Sequence, residues 1–222
     1  MKGIIFDFDG VLVNSMPMHY LAWKKAFMEI CRLRVDERTV YLLEGMRGAE
    51  LVQEIFRIFN YKDFSKIGPV TERKDQIFRS MIDSINSYTG TQELVKGLRC
   101  IKGIASGSAR YDIESILHRS FGANFFQIVL TADNIEKGKP DPQAFQLFLQ
   151  ESSLNPQDVI VVENSPLGVE AALKAGLTVI VVLNNSPLTR NDFSELIPTD
   201  NIFVETKNTT SLLCDWCKSS FH

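Results

Sequence analysis

Ile4-Ile5-Phe6-Asp7-Phe8-Asp9-Gly10 is a short apolar run that ends in two carboxylates and a glycine. Because side chains alternate along an extended chain, Asp7 and Asp9 are predicted to point to the same side. Two like charges held this close are unfavourable unless a cation or a shared proton relieves the repulsion. Gly10 permits a sharp exit from the strand or the close approach of a ligand. The stretch is therefore either a strand that leaves the core for water or one that delivers a functional pair of acids.

The composition is that of an ordinary globular protein. Of the 222 residues, 45% are hydrophobic and 23% are charged, enough for one large domain or for a domain with a sizeable insertion. A net charge of −3 and the lack of a polybasic stretch predict no binding to nucleic acid or to a membrane surface. The N-terminal apolar run is short and no run reaches the roughly 18 residues of a membrane span. We expect a cytoplasmic protein, either a monomer or a weak homodimer.

The four cysteines are too few and too unevenly spaced to indicate a disulfide scaffold. Cys214 and Cys217 form a single Cys-x-x-Cys, for which a zinc or redox role is the minor alternative. We interpret them as two small apolar residues on a C-terminal helix.

Short β-rich runs recur along the chain, at residues 103–105, 126–130, 159–162 and 179–182. Continuous apolar runs of this length are typical of parallel strands that are covered on both faces. Helical segments lie between them; in one, Ser165 can cap the helix, Pro166 suits its first position and Gly176 can end it. This alternation predicts an α/β fold, a doubly wound parallel (Rossmann-like) sheet with helices on both sides.

One long segment, residues 15–89, breaks this alternation and shows helical periodicity with no convincing strand. Helices are predicted to start at Asn14-Ser15-Met16-Pro17 and to lie around Val40, over Leu51–Phe59 and over Thr71–Ile85. We predict a helical cap domain at 15–89, inserted into a core domain formed by 1–14 and 90–222. The chain is expected to cross between them near 13–16 and 86–92.

Polar side chains follow four of the predicted strands, at the edge where ligands bind in an open parallel sheet. These side chains are Asp7 and Asp9, then Ser106-Gly107-Ser108, then Lys139, then Glu163 and Asn164. Taken singly, each has an ordinary explanation, as a turn, a solvated loop lysine or a polar strand exit. Their joint occurrence favours a phosphoryl-transfer site with donors for phosphate oxygens, a charge-neutralising lysine and carboxylates for a divalent cation.

The type of ligand indicates which cation this site would use. Oxygen donors predict Mg²⁺ rather than zinc or copper. No Gly-x-x-x-x-Gly-Lys loop is present, which argues against a nucleoside triphosphatase of that kind.

Four stretches in chain order resemble the motifs of the haloacid dehalogenase superfamily. They are Asp-Phe-Asp-Gly-Val-Leu (7–12), Ala-Ser-Gly-Ser (105–108), Gly-Lys-Pro-Asp-Pro (138–142) and Val-Val-Glu-Asn-Ser-Pro-Leu-Gly-Val-Glu-Ala-Ala (161–172). The inserted helical segment is similar to the cap of the β-phosphoglucomutase-like branch of that superfamily.

The resemblance implies a role for each motif residue. Asp7 would be the nucleophile that forms an aspartyl-phosphate, and Asp9 would protonate the leaving oxygen and then activate water. Ser106 would bind the phosphoryl group, and Lys139 would hold Asp7 and the phosphate together. Because the dehalogenases and phosphonate hydrolases of the superfamily typically lack the second Asp, Asp9 favours a phosphotransferase.

The resemblance also implies a Mg²⁺ site formed by Asp7, the carbonyl of Asp9, Glu163 and Asn164. Many relatives carry Asp where this chain has Asn164, so one negative charge is missing here. An amide oxygen can still bind the metal. We therefore expect Mg²⁺ to bind here, but with an affinity different from that of relatives that carry Asp at this position.

Substrate choice is expected to come from the cap, with Gly107 and Ser108 contributing from the core. The cap candidates are His19, Trp23, Arg47 and Lys74. His19 and Trp23 lie four residues apart and share a helix face, in a pattern that resembles β-phosphoglucomutase. A core position is the favoured interpretation of Trp23, whereas for His19 a structural and a substrate-binding role are equally open.

Arg47 lies in Glu44-Gly45-Met46-Arg47-Gly48, which resembles the substrate loop of cap-bearing phosphatases. In the mutase the loop arginine comes one position later, at Gly48 here, and a lysine occupies the position of Ala109. We therefore expect a Mg²⁺-dependent phosphatase for a small phosphorylated metabolite such as a sugar phosphate. A sugar phosphomutase and a non-catalytic phosphometabolite-binding protein are the alternatives.

Overall fold

The computed structural model describes residues 2–122, 125–198, 201–203 and 206–218. Its strands are β1 (Gly3–Phe6), β2 (Ile101–Ala105), β3 (Ile128–Leu130), β4 (Val159–Glu163), β5 (Thr178–Val182) and β6 (Ile202–Phe203). Within the described residues they form one parallel sheet in the order β3-β2-β1-β4-β5-β6. The sheet order places β1, which precedes Asp7, between β2 and β4, so the predicted motifs lie on adjacent strands.

Nine α-helices occur in the described part of the chain. They are α1 (Met16–Cys31), α2 (Glu37–Leu42), α3 (Gly48–Ile58), α4 (Ile67–Arg79), α5 (Thr91–Gly97), α6 (Arg110–Phe121), α7 (Gln143–Ser152), α8 (Pro166–Lys174) and α9 (Thr210–Lys218). Alternate residues of β1 point into different hydrophobic clusters, Ile4 and Phe6 into one and Ile5 into the other. The sheet is therefore covered on both faces, and the predicted doubly wound α/β fold is confirmed.

Local sequence signals explain several element ends. The Ser165 hydroxyl accepts a hydrogen bond from Gly168 N at 3.1 Å, Pro166 is the first residue of α8, and Gly176 follows the helix with φ +76°. The predicted helix over Thr71–Ile85 is wrong at its end, because α4 stops at Arg79 and a separate 3₁₀ turn follows. The two-residue strand β6 was not predicted.

Helices α1–α4 all lie in the segment between β1 and β2, and residues 15–89 contain no strand. We call residues 15–89 the cap. α1 packs against α4, and Trp23, Phe27 and Phe78 are among the buried side chains. Asn14 N donates to Asn86 O at 2.9 Å where the two crossings meet. The division into a cap domain and a core domain stays a prediction, and part of the core range 90–222 lies outside the described residues.

The C-terminal cysteines lie on α9, as expected. Cys214 is half-buried and forms no disulfide, whereas the side chain of Cys217 lies outside the described residues. Among the described helices, none combines the length and the apolar character that crossing a membrane would require.

Candidate active site

Asp7 directly follows β1, at the carboxyl end of this central strand. Its backbone N–H donates to Val162 O at 2.9 Å, which fixes Asp7 beside the end of β4. Gly10 adopts φ +81°, and a Cβ atom there would lie 2.2 Å from Asn164 Nδ2. Glycine is thus required at position 10 both by the turn and by the close approach of Asn164.

Lys139 is buried against two carboxylates. Its ammonium donates to Asp7 Oδ1 at 2.6 Å and also to Glu163 Oε1. Burial alone would lower the pKa of Lys139, but the charges of Asp7 and Glu163 and their hydrogen bonds raise it above its ordinary value. The lysine therefore stays charged and holds the strand ends of β1 and β4 together.

Glu163 is fully buried, and both of its oxygens are already engaged. Oε1 accepts from Lys139, while Oε2 accepts from Asn164 N at 2.8 Å, Ser165 N at 3.0 Å and the Ser165 hydroxyl at 3.2 Å. Through these contacts the carboxylate anchors Lys139 and the start of α8. The role of Glu163 as a metal ligand stays a prediction.

Asp9 is held by four donors. Oδ1 accepts from the Ser15 hydroxyl at 2.5 Å and lies 3.0 Å from His19 Nε2, and Oδ2 accepts from Ser108 at 2.6 Å and Ser106 at 3.3 Å. Burial alone would raise the pKa of Asp9, but the His19 imidazole and these hydrogen bonds lower it well below its ordinary value. Asp9 is therefore held as a carboxylate in this arrangement.

A cleft of about 370 Å³ lies between the cap and the end of the sheet. It brings together nine of the predicted residues, namely Asp7, Asp9, Ser106, Gly107, Ser108, His19, Trp23, Arg47 and Lys74. Lys139, Glu163 and Asn164 are buried and join this site through their contacts with Asp7 and with one another. The residues selected from the sequence thus meet in one place.

The cap side of the cleft is aromatic and cationic. Lys74 Nζ lies 5.2 Å from the Trp23 ring and 4.9 Å from the Phe78 ring, and His19 stacks on Phe78 at 3.9 Å. Burial lowers the pKa of His19, and Asp9 opposes this shift. Trp23 is both a core residue and part of the cleft wall.

The loop before α3 contacts the core. Arg47 Nη1 donates to Glu136 O at 2.7 Å, and Lys139 N donates to Gly45 O at 3.0 Å. On the core side, a Cβ atom on Gly107 would lie 2.7 Å from Gly45 O of the cap loop. The loop can pack this closely on the core because residue 107 is glycine.

Glu44 is a site residue to which sequence reasoning assigned no role. Its Oε2 accepts a hydrogen bond from Asn164 Nδ2 at 2.7 Å, across 120 positions of sequence. Burial raises the pKa of Glu44 well above its ordinary value, and the charges of Asp7 and Glu163 raise it further. An acid in a glycine-containing loop is common, and nothing in the local pattern marks this one as buried.

Three buried oxygens at this site have no hydrogen-bond partner among the described residues. They are Asp7 Oδ2, Glu44 Oε1 and Asn164 Oδ1. Burial raises the pKa of Asp7 well above its ordinary value, and the neighbouring charges of Glu163 and Asp9 add to this although Lys139 opposes it. Unpaired oxygen acceptors with excess negative charge fit a hard divalent cation such as Mg²⁺.

No group of three or more His, Cys, Asp or Glu side chains in the described ranges is arranged to hold a metal ion. The donors at this site are two acids and one amide, and Mg²⁺ ordinarily completes its coordination with water and substrate oxygens. The residues present therefore fit the cation but do not form an all-protein cage.

A model of the haloacid dehalogenase-like hydrolases matches residues 4–182. The chain belongs to this family. It is 27% identical over 180 residues to a phosphorylated carbohydrates phosphatase of Thermotoga maritima, covering 80% of this chain and 82% of that protein. It is 28% identical over 203 residues to a β-phosphoglucomutase of Bacillus subtilis, covering 85% of this chain and 86% of that protein.

The fold of this chain is also similar to that of a solved hydrolase structure. A hydrolase from Pseudomonas syringae superposes with a TM-score of 0.85 at 19% identity, covering 97% of this chain and 99% of that chain. The predicted membership of an enzyme family of haloacid dehalogenase-like hydrolases is confirmed.

Proposed function

We propose that this protein is a Mg²⁺-dependent phosphatase that hydrolyses a small phosphomonoester, a sugar phosphate or a similar metabolite, through an aspartyl-phosphate intermediate. The observation that carries the proposal is the state of Asp7. One carboxylate oxygen is held by Lys139, and the other is unpartnered within the described residues in a side chain that lines the cleft. The similarity to a phosphatase for phosphorylated carbohydrates supports the substrate class.

Asp7 is the proposed nucleophile. Its attack on phosphorus forms one P–O bond and breaks the P–O bond to the leaving group. The contact of Lys139 with Asp7 fixes the direction of the carboxylate, and its charge offsets negative charge on the transferred group. Hydrolysis of the aspartyl-phosphate by water then releases phosphate and restores Asp7.

Asp9 is the proposed acid and base. As a carboxylate held by His19 and the serines, it is in the form that takes a proton from water in the second step. The first step needs the opposite form, because the leaving oxygen must receive a proton. We infer that substrate displaces one or more of the donors on Asp9, which allows its pKa to rise before that step.

Ser106, Gly107 and Ser108 are proposed to bind phosphoryl oxygens through hydroxyl and amide donors. Asp7, the carbonyl of Asp9, Glu163 and Asn164 would hold Mg²⁺, which when bound supplies positive charge to the phosphoryl oxygens. His19, Trp23, Arg47 and Lys74 are proposed to select the leaving group from the cap side.

A sugar phosphomutase is the second candidate function. It is favoured by the similarity to β-phosphoglucomutase and by two cationic side chains, Arg47 and Lys74, on the cap side of the cleft, where a second phosphate could bind. Gly48 and Ala109 replace basic residues of the mutase pattern, and we therefore prefer the phosphatase. A cytoplasmic location and a monomer or weak homodimer remain part of this proposal.

The test is phosphate release from p-nitrophenyl phosphate and from a panel of phosphometabolites, with Mg²⁺ and with EDTA. We expect Asp7→Asn to abolish turnover while circular dichroism shows the native fold, and EDTA to abolish it reversibly. In a parallel assay, β-glucose 1-phosphate with trace bisphosphate is tested for glucose 6-phosphate. Isomerisation without phosphate release, or full turnover by Asp7→Asn, would overturn the phosphatase.

A further inference from the structure

We propose that Glu44, a cap residue, completes the cation site by supplying the negative charge that Asn164 lacks. The inference rests on the proposed Mg²⁺ site and extends it to a residue outside the four motifs. It makes the cap part of the metal site rather than only a wall of the substrate cleft.

The first observation is the contact between Glu44 and Asn164. The two side chains are 8% and 2% exposed and are joined by the 2.7 Å hydrogen bond from Asn164 Nδ2. A carboxylate can only accept this bond, so the amide presents its NH₂ group to Glu44. Asn164 Oδ1 then faces another direction, where no partner is found among the described residues.

The second observation is the set of unpartnered oxygens. Glu44 Oε1 and Asp7 Oδ2 share this condition with Asn164 Oδ1, and all three belong to side chains at least nine-tenths buried. A buried acceptor left without a donor costs on the order of 1–3 kcal/mol, more when it is charged. Three of them in linked side chains indicate a missing positive partner.

The third observation is the balance of charge. Lys139 is already shared between Asp7 and Glu163, and His19 lies against Asp9. Glu44 is a further buried acid at this site. Its hydrogen bond to the cluster comes from the amide of Asn164, which carries no charge. A divalent cation beside Asn164 would therefore meet a carboxylate from Glu44 in addition to that of Asp7.

The backbone holds Glu44 in this place. The adjacent Gly45 packs so tightly on Lys139 that an added Cβ atom would lie 2.5 Å from Lys139 Cδ. In the first turn of α3, which follows this loop, Glu50 accepts from Gly138 N at 3.2 Å, a second cap-to-core contact. Glu44 is therefore delivered by a loop that is docked on the core at several points.

Metal affinity is the test, because it is independent of turnover. Mn²⁺ binding is measured by electron paramagnetic resonance, and Mg²⁺ binding by calorimetry, for the wild type, Glu44→Gln, Asn164→Asp and the double variant. Gln keeps an acceptor for Asn164 Nδ2 and removes only the charge. We expect Glu44→Gln to weaken binding by roughly 10- to 100-fold, the range typical of residues that support metal ligands.

The double-mutant cycle tests compensation directly. With Asp at position 164, the metal site no longer needs the charge of Glu44. In this background, Glu44→Gln should lower the metal affinity by less than about threefold. Glu50→Gln is the matched control, since it removes a carboxylate from the helix that directly follows the loop and weakens a cap-to-core contact; we expect unchanged metal affinity.

A second readout is thermal stability. Because a metal that binds the folded state stabilises it more when its Kd is lower, the same Mg²⁺ concentration should raise the Tm of the wild type more than that of Glu44→Gln. Wild-type affinity in Glu44→Gln, or an equal loss in both backgrounds, overturns the inference while leaving the phosphatase standing. Failure of the wild type to bind either ion would instead refute the proposed Mg²⁺ site.

Discussion

Replacing Lys139 with Met tests the electrostatic basis of the site. Met preserves the length and volume of the side chain, so packing is retained while the positive charge is lost. Asp7 and Glu163 then lose a cation in a place where their side chains are 4% and 0% exposed. Removing one partner of a buried ion pair typically destabilises a protein by about 3–5 kcal/mol, because the remaining charge has no compensation.

The expected loss is large enough to measure in two ways. For a chain of this length, about 3–5 kcal/mol corresponds to a fall in Tm of roughly 6–20 °C. Urea unfolding in EDTA gives the free energy directly and excludes a contribution from bound metal. Lys137→Met, an exposed lysine two residues away, is the matched control and should stay within about 0.5 kcal/mol of the wild type.

The pH dependence identifies the cause. Burial raises the pKa of Asp7 above that of the unfolded chain, and without Lys139 nothing opposes this shift. A group with a raised folded-state pKa contributes stability at low pH and loses it as the pH rises through that pKa. The deficit of Lys139→Met should therefore be largest near pH 8 and smaller near pH 5. A deficit below about 1 kcal/mol at pH 8, or one equal at both pH values, would refute this reasoning.

Two further predictions concern proton transfer and packing. His19→Gln removes one cause of the lowered pKa of Asp9. Because the first step needs Asp9 protonated, the alkaline limb of the pH profile of kcat/KM should move to higher pH; an unmoved limb would separate His19 from Asp9. Gly103→Ala should destabilise the protein by about 1–3 kcal/mol in urea unfolding, because the new Cβ would lie 2.3 Å from Phe148. Gly97→Ala, with no atom within 4 Å of the added Cβ, is its control, and similar losses in both variants would contradict a packing origin.

Patterns local in sequence predicted much of the fold. The start of α8 needs only Ser165 and Pro166, and its end needs only Gly176, because capping involves residues a few positions apart. Apolar runs located β4 and β5 for a similar reason, since a buried strand must be apolar along its length. The end of α4 was misplaced because helical periodicity continues past Arg79, although the helix does not.

The strand-end motifs also indicated which side chains belong to the site. A parallel sheet brings the carboxyl ends of its strands to one edge, so the type of fold sufficed to place Asp7 near Ser106 and Glu163. The two-residue strand β6 has no comparable signal, because so short a run has no detectable periodicity.

Other features depend on groups far apart in the chain. The motif predicts a carboxylate at Glu163, but not that its oxygens accept hydrogen bonds from Lys139 and from backbone and hydroxyl donors near Asn164. A sequence motif specifies a carboxylate, whereas the number of donors around it is set by packing.

The acidic motif after the first strand and the type of sheet follow from the order of residues along the chain, because strand alternation and helix capping act between near neighbours. The contact of Glu44 with Asn164 cannot be predicted in this way, since 120 positions separate the two residues along the chain. Whether a loop acid is solvated or buried depends on which surface the loop meets. In this protein the cap places Glu44 in the cleft at the end of the sheet, which is also lined by Asp7 and Asp9 from the segment that follows β1.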